Sequence, residues 1–140
     1  MPKVNCILLV DDDVDDNEFH EIIISETGLA LQVQTAGNGL QALDYINKAS
    51  AGEPGYPKPE LIFLDINMPR MNGLEFLEAY HKLPDMAKGD VVCMLTTSIN
   101  PNDKSQAEAY KEVNEFCQKP LTAAMLESVL QKYFTGDTVS

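Results

Sequence analysis

The sequence is poor in positive charge. Ten lysines and arginines stand against 22 aspartates and glutamates, for a formal net charge of -12. A molecule of that sign is repelled by nucleic-acid phosphates and by anionic lipid, so neither is an expected partner; a cation or a basic protein is. Cysteine is scarce too. Cys6, Cys93 and Cys117 form an odd set with no C-x-x-C, and each falls in a stretch that reads as a strand. Disulfides and a zinc site are therefore not expected, and the thiols are read as buried and reduced. No apolar run approaches the roughly 20 residues that cross a bilayer. Met1–Asn5 leads straight into a strand, not into a secretion signal. These absences predict a cytoplasmic protein. No internal repeat stands out, and no G-x-G-x-x-G follows the first apolar run. Acids stand there instead and would repel a pyrophosphate, which argues against a dinucleotide-binding half-domain.

What is present is a regular alternation. The chain has 140 residues, enough for one domain with one sizeable core. Residues 6–10 (CILLV), 61–66 (LIFLDI), 91–96 (VVCMLT) and the weaker 115–119 (EFCQK) are near-continuous apolar runs, while 31–36 (LQVQTA) alternates more. The continuous runs read as strands buried on both faces of a parallel sheet, and the alternating one as an edge strand. Helical spacing lies between them. Asp13 to about Thr27 carries Phe19, Ile22 and Ile23, with Gly28 as a stop; Leu40–Lys48 follows the Asn38-Gly39 turn; Gly73–Leu83 carries Leu74, Leu77 and Tyr80. Asn102–Val113 places Ala107, Tyr110 and Val113 on one face, and Thr122–Phe134 opens on a threonine cap. Alternating strands and helices predict an open α/β sheet with helices on both faces and right-handed crossovers. Residues 1–136 make one domain, 137–140 a short polar tail, and Ala49–Pro59 a Gly/Pro-rich surface loop.

Negative charge is concentrated in one place. Ile7–Val10 is followed by Asp11, Asp12, Asp13, Asp15 and Asp16. Ligands of open α/β sheets bind beyond the carboxyl ends of the strands, where strand order reverses. The first strand ends in Asp11 and Asp12, and the third in Asp65. In a 2-1-3-4-5 order these two strands are neighbours at the reversal, and the three carboxylates converge. Converging carboxylates raise one another's pKa unless a cation neutralises them. Magnesium takes oxygen ligands, uses one or two carboxylates and leaves positions for phosphate oxygens. Strand four ends in Thr96 and strand five in Lys119, a hydroxyl and an ammonium suited to phosphoryl oxygens. A carboxylate in that setting can act as nucleophile and form an aspartyl phosphate. Asp13, Asp15 and Asp16 belong instead to the start of the first helix, where acids cap free N–H groups and suit the dipole. An EF-hand loop counted from Asp11 fails, because Asp16 occupies the glycine position and Ile22 that of the closing glutamate. His20 and His81 lie in helical stretches, and neither is assigned to phosphotransfer.

Four motifs in order carry a family resemblance: LLVDDD at 8–13, LIFLDINMPRMNG at 61–73, MLTTS at 94–98, and Lys119-Pro120 before the last helix. Together they resemble the receiver domain of two-component response regulators over essentially the whole chain. The resemblance implies the flavodoxin-like, doubly wound five-stranded parallel sheet of order 2-1-3-4-5. It implies Asp65 as phosphoacceptor, with Mg2+ held by Asp11, Asp12, Asp65 and the backbone carbonyl of Asn67. Thr96 matches the switch hydroxyl, Lys119 the phosphoryl-pairing lysine and Phe116 the switch aromatic. Asn67 and Ser98 fall where the dephosphorylation rate is tuned, and a cis bond is expected before Pro120. Expected partners are a sensor histidine kinase or histidine phosphotransfer protein and a downstream protein target. A homodimer through helix four, strand five and helix five is a further family habit. No enzymatic turnover beyond its own phosphotransfer and dephosphorylation is implied. The lone-domain layout and the Ala49–Pro59 loop are similar to small regulators paired with phytochrome-type and hybrid sensor kinases.

Two other classes fit less well. Phosphatases of the haloacid dehalogenase type also use an aspartyl nucleophile, but they resemble D-x-D, and the second position here is Asn67. A phosphorylation-independent interaction module would not need Asp11, Asp12, Asp65, Thr96 and Lys119 all present.

Overall fold

The computed structural model describes residues 2–68, 70–97 and 100–134. The strands are β1 (Val4–Val10), β2 (Ala30–Ala36), β3 (Leu61–Leu64), β4 (Val91–Thr96) and β5 (Val113–Gln118). The helices are α1 (Val14–Thr27), α2 (Gly39–Ser50), α3 (Gly73–His81), α4 (Pro101–Glu108) and α5 (Ala123–Tyr133), with a 3-10 turn at Asp85–Ala87. All neighbouring strands run parallel in the order β2-β1-β3-β4-β5, as the alternation and the family resemblance imply.

The continuous apolar runs are explained by two cores, one on each face of the sheet. Leu8, Val10, Ile62, Leu64, Val92 and Met94 pack against Tyr45 and Ile46 of α2 and Phe76, Leu77 and Tyr80 of α3. The alternate residues Ile7, Leu9, Leu61, Phe63, Cys93 and Leu95 pack against Ile24 of α1 and Leu126, Val129 and Leu130 of α5. A strand covered on both faces has no polar side to alternate with.

Each α-helix begins on a side chain that accepts a backbone N–H: Asp13 for α1, Asn38 for α2, Asn72 for α3, Asn100 for α4 and Thr122 for α5. At α3 the cap is reciprocal, with Glu75 bonding back to Asn72. Gly28 ends α1 at φ 69°, in the left-handed region where glycine has no Cβ penalty.

Three expectations change. The helix expected over 102–113 stops at Glu108, and Val113 opens β5. The buried row of α1 is Asn17, His20 and Ile24, while Phe19 and Ile22 are exposed. The segment 49–59 is shorter as a loop, because α2 runs through Ser50. That loop is anchored: the Tyr45 hydroxyl donates to the Pro57 carbonyl at 2.6 Å, and the Tyr45 and Tyr56 rings meet edge to face.

Candidate functional site

The strand ladder sets the acids in place. Asp11 N–H donates to the Ala36 carbonyl and Asp65 N–H to the Val10 carbonyl, both at 3.0 Å, one residue past the ends of β1 and β3. Lys119 N–H donates to the Thr96 carbonyl at 2.9 Å, which sets the end of β5 beside the end of β4. Sequence-neighbour register thus becomes a side-chain cluster at the carboxyl edge of the sheet.

Carboxylate oxygens of Asp11, Asp12 and Asp65 all lie within 4.8 Å of one another. Asp11 and Asp65 are buried and Asp12 is exposed. Lys119 Nζ pairs with Asp11 Oδ2 and lies 2.9 Å from Asp16 Oδ2 and 3.2 Å from Asp65 Oδ2. The other oxygens are also committed. Asp11 Oδ1 accepts the Asp13 N–H at 2.9 Å, and Asp65 Oδ1 accepts the Asn67 N–H at 3.3 Å. Burial pushes the Asp11 carboxyl above its ordinary value, against the pull of Lys119, and the Asp65 charge adds to the rise. Burial works against the Lys119 ammonium, but its bonds to Asp11 and Asp16 and the Asp65 charge outweigh it and raise its pKa. An oxygen-only donor set of three converging carboxylates, with no sulfur or imidazole among them, fits a hard divalent cation such as Mg2+.

Thr96 is buried at the end of β4. Phe116 is half-buried on β5, with Lys104 Nζ of α4 at 5.5 Å from its ring centre. Asn67 is exposed just past Asp65. The Lys119-Pro120 bond is cis. Ser98 lies outside the described residues.

Asp16 is a site residue that the sequence reading assigned to helix structure alone. Its N–H does bond the Asp13 cap, but its carboxylate reaches Lys119, 103 positions away. No local pattern announces such a contact. Asn17 and His20 were missed for the same reason. Asn17 Nδ2 donates to the Asp11 carbonyl at 2.9 Å, and its Oδ1 has no hydrogen-bond partner among the described residues. His20 Nε2 accepts the Leu121 N–H at 3.2 Å. Asp11, Asn17, His20 and Asp65 line a cavity of about 10 Å³, the size of one water molecule. Glycines shape the rim: a Cβ at Gly73 would meet the Asp65 carbonyl at 2.5 Å, and one at Gly39 the Met71 carbonyl at 2.7 Å.

A doubly wound sheet with an acid trio, a hydroxyl and a lysine at its carboxyl edge defines a phosphoryl-handling signalling module. Known proteins bear this out. The model of the response regulator receiver domain matches residues 7–131, and the chain belongs to that family. It is 33% identical over 102 residues to response regulator Rcp1 of Synechocystis sp., covering 73% of this chain and 67% of that one. A two-component response regulator from Cytophaga hutchinsonii superposes with a TM-score of 0.81 at 33% identity, over 94% of this chain and 97% of that one. The bacteriophytochrome response regulator AtBRR superposes with a TM-score of 0.76 at 30% identity, over 94% of each chain. Receiver domains are the phosphoacceptors of two-component phosphorelays, and an aspartate acceptor with Mg2+ at an acidic pocket is general to them. Among the described residues no helix is long and apolar enough to cross a membrane.

Proposed function

We propose that Asp65 accepts the phosphoryl group, from the phosphohistidine of a sensor histidine kinase or a histidine phosphotransfer protein. The observation that carries this reading is the single ammonium of Lys119 set between Asp11 and Asp65 inside the acid trio. An Asp65 carboxylate oxygen attacks phosphorus, the O–P bond forms, the P–N bond to the donor imidazole breaks, and that imidazole stays with the partner. Asn67 N–H holds Oδ1 and so orients the carboxylate, while Lys119 donates toward the oxygens of the incoming group. Asp11, Asp12, Asp65 and the Asn67 backbone carbonyl would hold Mg2+, which when bound offsets charge on the transferring phosphoryl oxygens.

The Thr96 hydroxyl then moves toward the new phosphoryl group, and Phe116 turns into the space it leaves. The surface of α4, β5 and α5 changes, which is a two-state element biased by a local charge. Output is non-covalent, to a downstream protein in the cytoplasm or to a second copy through that same surface. Asn67 and Ser98 set how fast the acyl phosphate is lost, and no separate substrate is turned over. Residues 1–136 are the receiver unit and 137–140 its tail. The test is Asp65→Asn: acetyl phosphate with Mg2+ labels the parent protein and leaves the variant unlabelled. A variant that still labels at the parent rate overturns the assignment.

A further inference from the structure

We propose that Cys93 and Cys117 are a modification site: a dithiol that hydroperoxides oxidise to an intrachain disulfide joining β4 to β5. Their Sγ atoms lie 3.2 Å apart, within the distance of a thiol–thiol hydrogen bond. Both side chains face the core shared with α1 and α5. Phe116 and Met94 face the other core, so the thiol pair and the switch aromatic lie on opposite faces of the sheet.

The two thiols are unequal in a way that suits sequential chemistry. Cys93 is fully buried, whereas Cys117 is only partly buried on β5, an edge strand of the sheet. Of the two thiols, Cys117 is the one an oxidant would meet first. The hydrogen bond shared with Cys93 lowers the Cys117 pKa, burial and Glu115 oppose this, and Lys132 assists it. The same bond, with burial, raises that of Cys93. The less buried sulfur, that of Cys117, is thus the nucleophile and the buried Cys93 the resolving thiol. Cys6 supplies a contrast within the same molecule: it is buried in β1, and burial raises its pKa.

The chemistry balances with a hydroperoxide as oxidant. The Cys117 thiolate attacks the terminal peroxide oxygen, the S–O bond forms, the O–O bond breaks, and the departing oxygen leaves protonated as water or alcohol. The Cys93 sulfur then attacks the Cys117 sulfenic acid. The S–S bond forms, the S–O bond breaks, and the hydroxide leaves as water with the Cys93 proton. Two thiols lose two electrons and the peroxide gains them.

The pairing register gives the bond a mechanical consequence. Cys117 pairs with Leu95, and Cys93 with Glu115, so the bond runs diagonally between the strands. On ideal strand spacing that diagonal is about 8 Å between Cα atoms, beyond the roughly 7 Å a disulfide spans unstrained. Closure therefore requires β5 to shift against β4, beside the register irregularity between Val92 and Cys93. A bond closed in this way is easily reduced again, as a signalling disulfide in a reducing compartment must be.

The experiment treats the reduced full chain with a few equivalents of hydrogen peroxide, alkylates remaining thiols and maps peptides by non-reducing mass spectrometry. The expected product is monomeric, two hydrogens lighter, with Cys93 and Cys117 linked, Cys6 alkylated and the parent mass restored by dithiothreitol. Cys117 reacts at least tenfold faster than Cys6. In Cys93→Ala the Cys117 sulfenic acid persists and is trapped by dimedone, and Cys117→Ser does not lose the two hydrogens. Three results overturn the proposal: no Cys93–Cys117 linkage in the parent chain, linkage only between chains, or Cys6 oxidised as fast as Cys117.

Discussion

His20 Nε2 accepts the backbone N–H of Leu121 at 3.2 Å, tying α1 to the residue just past the Lys119-Pro120 bond. The imidazole must be neutral to accept. Burial lowers its pKa below the ordinary 6.5, the Asp16 carboxylate pulls the other way, and the Lys119 ammonium adds to the lowering.

That depression makes a pH-dependent stability. Between the lowered folded value and the unfolded value near 6.5, the unfolded chain binds more protons, so stability rises with pH. The contribution is complete above pH 6.5 and is lost as pH falls through the folded value. His20→Gln cannot titrate, and its urea midpoint will fall less than the parent's between pH 7 and pH 5. Equal pH slopes for the two proteins would remove His20 from this role. His20→Leu leaves the Leu121 N–H unpaired and costs about 1–3 kcal/mol at neutral pH.

Asp16→Asn removes one of three carboxylates from Lys119 and one charge from the approach to Asp65. The Asp16 side chain is 39% exposed, so solvent screens the pair and its worth is about 0.5–1 kcal/mol. Labelling of the variant by acetyl phosphate with Mg2+ should run roughly two- to fivefold faster than the parent. Slower labelling would mean that Asp16 holds Lys119 in its working position.

Mg2+ should stabilise the fold by relieving repulsion among Asp11, Asp12 and Asp65. At a concentration one hundred times its dissociation constant the gain is about 2.7 kcal/mol, a rise in Tm of roughly 10 °C for a chain of this size. EDTA reverses it. Asp12 is exposed and part of the trio, so Asp12→Asn should raise the metal-free Tm slightly, by removing one of the repelling charges, and lose most of the metal-dependent rise. Scanning calorimetry with and without the metal decides this.

Gly73→Ala places a methyl group 2.5 Å from the Asp65 carbonyl and 2.8 Å from the Ile66 Cα. Both neighbours are backbone and cannot rotate away. The variant should lose about 1–3 kcal/mol and, because Asp65 itself must shift, label more slowly with acetyl phosphate. Chemical denaturation read beside labelling separates the two effects.

The strands and the acids that end them were legible because both depend on residues whose placement is forced, whereas the 2-1-3-4-5 order that brings the acids together came with the family resemblance. Apolar runs such as LIFL need cover on both faces, and an acid that ends one must emerge at the sheet's edge. The row on α1 was misread because periodicity finds buried carbon, whereas Asn17 and His20 are buried to bond Asp11 and Leu121. The end of α4 was overrun because Ala107, Tyr110 and Val113 keep helical spacing while Val113 already pairs with Val92 on β4. Asp16 meeting Lys119 was out of reach, since only the folded chain brings those positions together.

That last contact also orders events during synthesis. Asp11, Asp12, Asp16 and Asp65 leave the ribosome well before Lys119, so the nascent chain carries the acids without their ammonium. The site closes only when β5, near the end of the domain, docks beside β4. Contacts of such long sequence separation form late, after their loop-closure entropy has been met. A chain that ended before β5 would therefore carry the acids with their charge uncompensated by Lys119.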